Sequence, residues 1–99
     1  MASPITIPIT PITLTNHEEG RYVIRFQNTG AFPVYITKQL PNGTTPTPSI
    51  TVYDYIIPPV SDEGTDGNVV QVQTTAKFDA VAVGGSSTVA VAKTFLIRR

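Results

Sequence analysis

The 99-residue chain has no cysteine and no tryptophan, a single histidine, three leucines and no net charge. Each shortage excludes something. Without cysteine there is no disulfide and no thiolate zinc site, so stability rests on packing or on a partner. Seven Lys and Arg balance seven Asp and Glu. A nucleic-acid surface needs massed cations that displace counterions from phosphates, and the sequence masses none. No apolar run approaches the roughly 18 residues of a membrane span. Met1-Ala2-Ser3-Pro4 lacks the basic segment and apolar run of a secretory signal. The expectation is therefore a chain that meets neither nucleic acid nor membrane. Near-zero charge also leaves little repulsion between copies, which suits self-association.

What replaces leucine is β-branched. Thr, Ile and Val together make 36 of the 99 residues. Such side chains are stiff at χ1 and fit a pleated surface better than a helix. Nine Pro and seven Gly are spread along the chain, leaving no helical window of useful length. This predicts an all-β fold: one small antiparallel β-sandwich or β-barrel.

Residues 3–15, SPITIPITPITLT, repeat Pro-Ile-Thr from Pro4, Pro8 and Pro11. Ile5, Ile7 and Ile9 share one face of an extended chain, and Ile12 and Leu14 share another. Proline gives no N–H to a ladder, so the segment pairs well on one side only. It reads as an edge strand on its own sheet, or as an extended N-terminal arm. Its reach is roughly 40 Å at about 3.3–3.6 Å per residue, enough to cross onto a neighbouring subunit by strand addition. Both readings stay open, with residues 1–15 as arm or edge strand and 16–99 as the domain.

Arg21 to Lys38, RYVIRFQNTGAFPVYITK, reads as two strands folded back across Asn28-Thr29-Gly30-Ala31. Tyr22, Ile24 and Phe26 alternate with Arg21, Val23, Arg25 and Gln27, the period-2 pattern of a half-buried strand. Asn28 and Gly30 suit a turn with positive φ. Residues 39–49, QLPNGTTPTPS, are a loop, and Asn42-Gly43-Thr44 is a plain turn despite matching a glycosylation acceptor. Ile50 to Ile57 is a third strand, with Tyr53 and Tyr55 on one face and Asp54 opposite. One tyrosine packs in the core; the pair otherwise offers aromatic surface to a partner or a sugar. The last third gives three strands, 69–74, 77–83 and 88–97, with Gly84-Gly85-Ser86-Ser87 as a tight hairpin loop. Apolar residues on both faces of 77–83 predict a strand covered on both sides.

Catalytic signals are missing. There is no Ser-His-Asp or Cys-His set, no phosphate loop and no HxxxH pairing. His17, in the polar turn Asn16–Gly20, has no nominated partner. Arg21 and Arg25 read as a solvated strand face. Asp62, Asp66 and Gly67 fall at positions of a calcium loop, but Gly64 and Gln73 stand where ligands are needed, so the stretch reads as a turn. Neither an enzyme nor a cofactor is expected.

The string Arg21…Phe26-Gln27-Asn28-Thr29-Gly30-Ala31-Phe32-Pro33-Val34-Tyr35-Ile36 resembles the hairpin QNTG-x-x-PVYIG of small β-sandwich or β-barrel virion proteins of tailed bacteriophages. Gly84-Gly85-Ser86-Ser87-Thr88-Val89-Ala90-Val91 is similar to their closing hairpin. The likeness runs from Ile12 to Ile97 in order of elements, with Thr37 where that pattern has glycine. It implies a structural virion protein: a decoration or cement protein on the capsid surface, made in the host cytoplasm. Its implied partners are the major capsid protein and its own copies, as a homo-oligomer such as a trimer. The alternative it implies is a tail or fibre module that binds a host glycan or another tail protein. No catalytic residue carries over. The expected partner-binding residues are Ile5, Ile7, Ile9, Ile12 and Leu14, on an arm removable without unfolding the rest, and Tyr53 and Tyr55.

Overall fold

A computed structural model describes residues 3–15, 22–59, 69–74 and 76–95. Among them there is no helix, and so none long and apolar enough to cross a membrane. There are eight strands: β1 (Ser3–Ile7), β2 (Ile12–Thr15), β3 (Tyr22–Asn28), β4 (Val34–Lys38), β5 (Tyr55–Ile57), β6 (Val69–Thr74), β7 (Phe78–Ala82) and β8 (Ser87–Phe95). They form two four-stranded antiparallel sheets. Sheet A runs β1-β8-β3-β6 and sheet B runs β2-β7-β4-β5. The all-β sandwich expected from composition is what the chain forms.

The pairing has a simple logic. β1 pairs with β8, β2 with β7, β3 with β6 and β4 with β5. The chain is one long antiparallel ribbon, bent at the β4–β5 connection and rolled up. Rolling also brings β3 against β8 and β4 against β7, which completes each sheet. This is the jelly-roll arrangement of two interlocked Greek keys.

That topology corrects three sequence expectations. The stretch 21–38 is not a hairpin: β3 lies in sheet A and β4 in sheet B, so the turn between them is an arch from one sheet to the other. The Gly84-Gly85-Ser86-Ser87 turn is likewise an arch, from β7 to β8. Of the expected strand at 50–57 only Tyr55–Ile57 is extended in a ladder, and residues 50–54 bend away.

Between the sheets lies the core. Ile7, Ile24, Phe26, Val34, Ile36, Ile57, Phe78, Ala80 and Val89 are fully buried. Phe26 of sheet A meets Phe78 of sheet B edge-to-face at 5.2 Å between centroids, the favoured arrangement of two ring quadrupoles. Residues of one parity on each strand supply this layer, as period-2 alternation requires.

The β3–β4 arch is held by Asn28, whose side chain is fully buried. Its amide donates to the carbonyls of Phe32 (2.8 Å) and Ile57 (3.0 Å). Its Oδ1 accepts from the Gly30 N–H (2.9 Å) and the Ser87 hydroxyl (2.8 Å). One side chain thus ties together β3, the arch, the end of β5 and the start of β8. A buried amide this well satisfied specifies a geometry, because any other arrangement strands its polar atoms. Neither Asn28 nor Gly30 takes the positive φ expected of a tight turn; Gly30 follows instead from the same closeness, since a Cβ there would sit 2.1 Å from Ser87 Oγ and 2.6 Å from the Thr88 nitrogen. The Asn-Thr-Gly run is therefore the clasp between two arches. Phe32 lies across the second arch, where a Cβ on Gly85 would meet its ring at 2.6 Å.

Candidate interaction surface

The inner faces of the two sheets are used up by the core, so any site must lie on an outer face, an edge or a loop. On sheet A the outward positions are Pro4 and Thr6 of β1, Thr88, Ala90 and Ala92 of β8, Val23, Arg25 and Gln27 of β3, and Val69 and Gln71 of β6. Small and polar side chains dominate. Arg25 stands exposed among them, as expected of a solvated face, and Arg21 lies outside the described residues.

Sheet B is built differently. Its outward positions include Tyr35 and Thr37 of β4, Asp79 and Val81 of β7 and Ile56 of β5. Thr37 and Val81 are buried although they point away from the core. Residues 39–54 fold over them. Both ends of this loop are tied down. Gln39 exchanges two bonds with Lys77: its N–H donates to the Lys77 carbonyl (2.8 Å) and its Oε1 accepts from the Lys77 N–H (3.1 Å). Asp54 donates its N–H to the Ile36 carbonyl (2.8 Å) and accepts the Lys38 N–H on Oδ2 (2.7 Å). In the middle the Thr37 hydroxyl donates to the Pro46 carbonyl, and Pro48 is buried beneath the loop. The expectation that β7 is covered on both faces holds, with this loop as the second cover.

Past Pro48 the loop makes a knuckle. Ser49 and Val52 exchange backbone bonds of 2.8 and 3.2 Å, and Ser49 Oγ accepts from the N–H groups of Thr51 and Val52. A serine hydroxyl that satisfies two nearby N–H groups stabilises a tight turn without help from a sheet. The knuckle lifts Ile50 into solvent at 61% exposure, with Val52 beside it. Tyr53 then stacks edge-to-face on Tyr35 at 5.3 Å.

The result is an apolar tract on the outer side of sheet B: Ile50, Val52, Tyr53 and Ile56 on one part, and Ile9 at 63% exposure on the β1–β2 arch. Between Ile9 and Ile50 lies a shallow groove of about 720 Å³, floored by Pro48 and Val81 and walled by Gly84 and Gly85. None of its lining residues is charged. Scattered exposed apolar residues are ordinary, but an uncharged groove with exposed apolar side chains at its rim is a mark of an interaction site.

The expected partner-binding residues divide. Ile9 stands in the tract. Ile7 and Leu14 are buried in the core, and Ile5 and Ile12 pack against it half-buried. The segment carrying them is the edge strand of each sheet, β1 of A and β2 of B, hydrogen-bonded within its own chain. The edge-strand reading thus describes the fold, and a removable arm does not: its loss would strip both sheets and take Ile7 and Leu14 from the core. Tyr53 and Tyr55 do not share a face. Tyr53 lies outside on Tyr35, while Tyr55 turns inward towards Phe78, 6.4 Å away. The bend at 50–54 breaks the parity that an unbroken strand would keep.

Ile50, Val52 and Ile56 were not expected as surface residues. Their signal lay in the sequence as apolar residues flanking a Ser-x-Thr turn, but a β-rich run hides it. Among the described residues no group of three or more His, Cys, Asp or Glu is placed to hold a metal ion. The acidic stretch 61–68 and His17 lie outside the described residues. No family model matches the chain, and neither a curated protein nor a solved structure matches it significantly.

Proposed function

We propose that this chain is a structural protein of a bacteriophage particle, a decoration or cement protein that docks on the major capsid protein and on its own copies. The observation that carries the reading is the uncharged groove between Ile9 and Ile50, with Val52, Tyr53 and Ile56 also exposed on the outside of sheet B. A cement protein works by covering surface on a larger assembly. Such a contact needs a rigid scaffold and a desolvated apolar centre more than it needs reactive groups. The jelly roll supplies the scaffold and the tethered loop 39–54 supplies the centre. The likeness of the Gln27–Ile36 and Gly84–Val91 segments to phage virion proteins points the same way. So does the fold by analogy, since jelly rolls recur in capsid proteins, although they also serve lectins and cupins.

A tail or fibre module that binds a glycan is the second reading, favoured by the exposed Tyr53 ring beside Tyr35. Asp54 weakens it, because one oxygen of its carboxylate is spent on the Lys38 N–H and not presented to a sugar.

The test is to image, by cryo-electron microscopy, particles of the virus whose genome carries this sequence. The expected result is many copies at symmetric positions on the head, with the Ile50 knuckle against the shell. A few copies on the tail, together with binding on a glycan array, supports the second reading. Absence from the particle overturns both.

A further inference from the structure

A sandwich of two open sheets has four edges, and three of them are blunted. β1 carries Pro4 within it and Pro8 just after it. β2 has four residues, and its register shifts between Thr13 and Thr15. β5 has only three residues and runs into Pro58-Pro59. Proline, irregularity and shortness are the usual means of stopping a sheet edge from adding a foreign strand.

β6 has none of them. Val69–Thr74 is six residues long, without proline, charge or register shift, and pairs with β3 along its whole length. Among the described residues no backbone hydrogen bond reaches it from any element other than β3. Among the described residues, its edge is the one left without a partner or a blunting feature.

We propose that β6 is a self-pairing edge: two copies of this chain join β6 to β6, antiparallel about a two-fold axis, and make sheet A continuous across both. The occupant is a second copy because the strand is uncharged. A strand with lysine or glutamate at its centre would meet its own like charge across the axis, whereas Val-Val-Gln-Val-Gln meets nothing repulsive. With Gln71 opposite its own copy, Val70 of one chain falls opposite Val72 of the other. Antiparallel partners share a face. Both valines pack half-buried against the core, so pairing extends each core's apolar layer across the junction. Gln71 is exposed on the other face, where two glutamines can exchange amide hydrogen bonds. An isologous contact of this kind closes at two copies and does not propagate.

The inference deepens the self-association part of the function proposed above and rests on it only for that part. Sedimentation equilibrium of the full chain should show a dimer. Gln71→Lys and Gln71→Glu should each weaken that dimer about fivefold, by placing like charges in register. An equimolar mixture of the two variants should associate about tenfold more tightly than either alone, because the charges then attract. Circular dichroism melts of the single variants check that the fold is intact. Leu40→Ser, at an exposed position on the loop over the opposite sheet, should leave the dimer unchanged. A wild-type monomer at high micromolar concentration overturns the proposal. So does a mixture no tighter than its components, or a dimer lost in Leu40→Ser and kept in Gln71→Lys. A dimer that behaves as expected but is absent from phage particles would keep the edge and overturn the virion role, so the two failures are distinguishable.

Discussion

The two sheets are alike on the inside and unlike on the outside. Inward, each contributes one buried phenylalanine and a set of aliphatic residues to a shared layer. Outward, sheet A shows Thr, Ala, Gln and Arg to solvent, while sheet B is roofed by residues 39–54 and presents a second apolar surface on top of that roof. The contrast teaches where selection for stability ends. An inward-facing residue answers to the core whichever sheet holds it. An outward-facing one answers to what covers it, and on sheet B part of that cover is the chain itself while part is still open.

The largest effect should come from what the two sheets share. Removing residues 3–14 takes an edge strand from each sheet and two aliphatic side chains from the core. The expected outcome is a chain without a cooperative thermal transition by circular dichroism; a truncated chain that still melts cooperatively would revive the removable arm. Next comes the clasp between sheets. Asn28→Ala leaves two carbonyls, the Gly30 N–H and the Ser87 hydroxyl short of a partner, and should cost about 2–4 kcal/mol in urea unfolding, as buried unsatisfied groups do. A loss under about 0.5 kcal/mol would mean the arches hold each other without it.

The sharpest comparison is between outer faces. Val81→Ala on sheet B should cost about 1.5 kcal/mol, because two buried methyl-sized groups are lost from under the loop. Val23→Ala, at a half-buried outward position on sheet A, should cost about half as much or less. Equal costs would mean the roof adds nothing. The smallest stability effect belongs to the knuckle tip. Ile50→Ser should change stability by no more than about 0.5 kcal/mol, yet reduce attachment to particles severalfold, read by co-sedimentation. That separation of folding from docking is what an interaction surface predicts.

Much of the fold was legible in the residues. The β-branched excess and scattered prolines announced an all-β fold, sandwich or barrel; period-2 alternation located β3, β4, β6 and β8, and β7 stood out as a strand apolar on both faces. The pairing was not legible. Asn28 and Gly30 are right for a tight turn, and they are equally right for an arch between sheets. What decides is Ser87 and Ile57, dozens of residues away, and no local pattern shows them. The shared face expected for Tyr53 and Tyr55 failed for a related reason. Counting parity through 50–57 assumes an extended chain, and the hydroxyl of Ser49 bends it. Of the interaction surface, Ile9 was named as one isoleucine of the proline-laced segment and Tyr53 as an aromatic on its strand face. Ile50 and Val52 were not, because as neighbours in an apolar run they look like strand.

β8 lies at the middle of sheet A, between β1 and β3, although it follows every other strand along the chain. On a translating ribosome the order of events follows. β4 and β5 meet early, being neighbours in the ribbon, while β1 emerges before the other described strands and waits for its partner until β8 is made. β3 and β6 can pair earlier, but β1 has no partner in sheet A until β8 exists, and a lone isoleucine-bearing strand is a hazard during such a wait. Pro4, Pro8 and Pro11 then protect the unfinished polypeptide as well as the finished one. They keep β1 from adhering to other nascent chains until the strand it belongs beside has been synthesised.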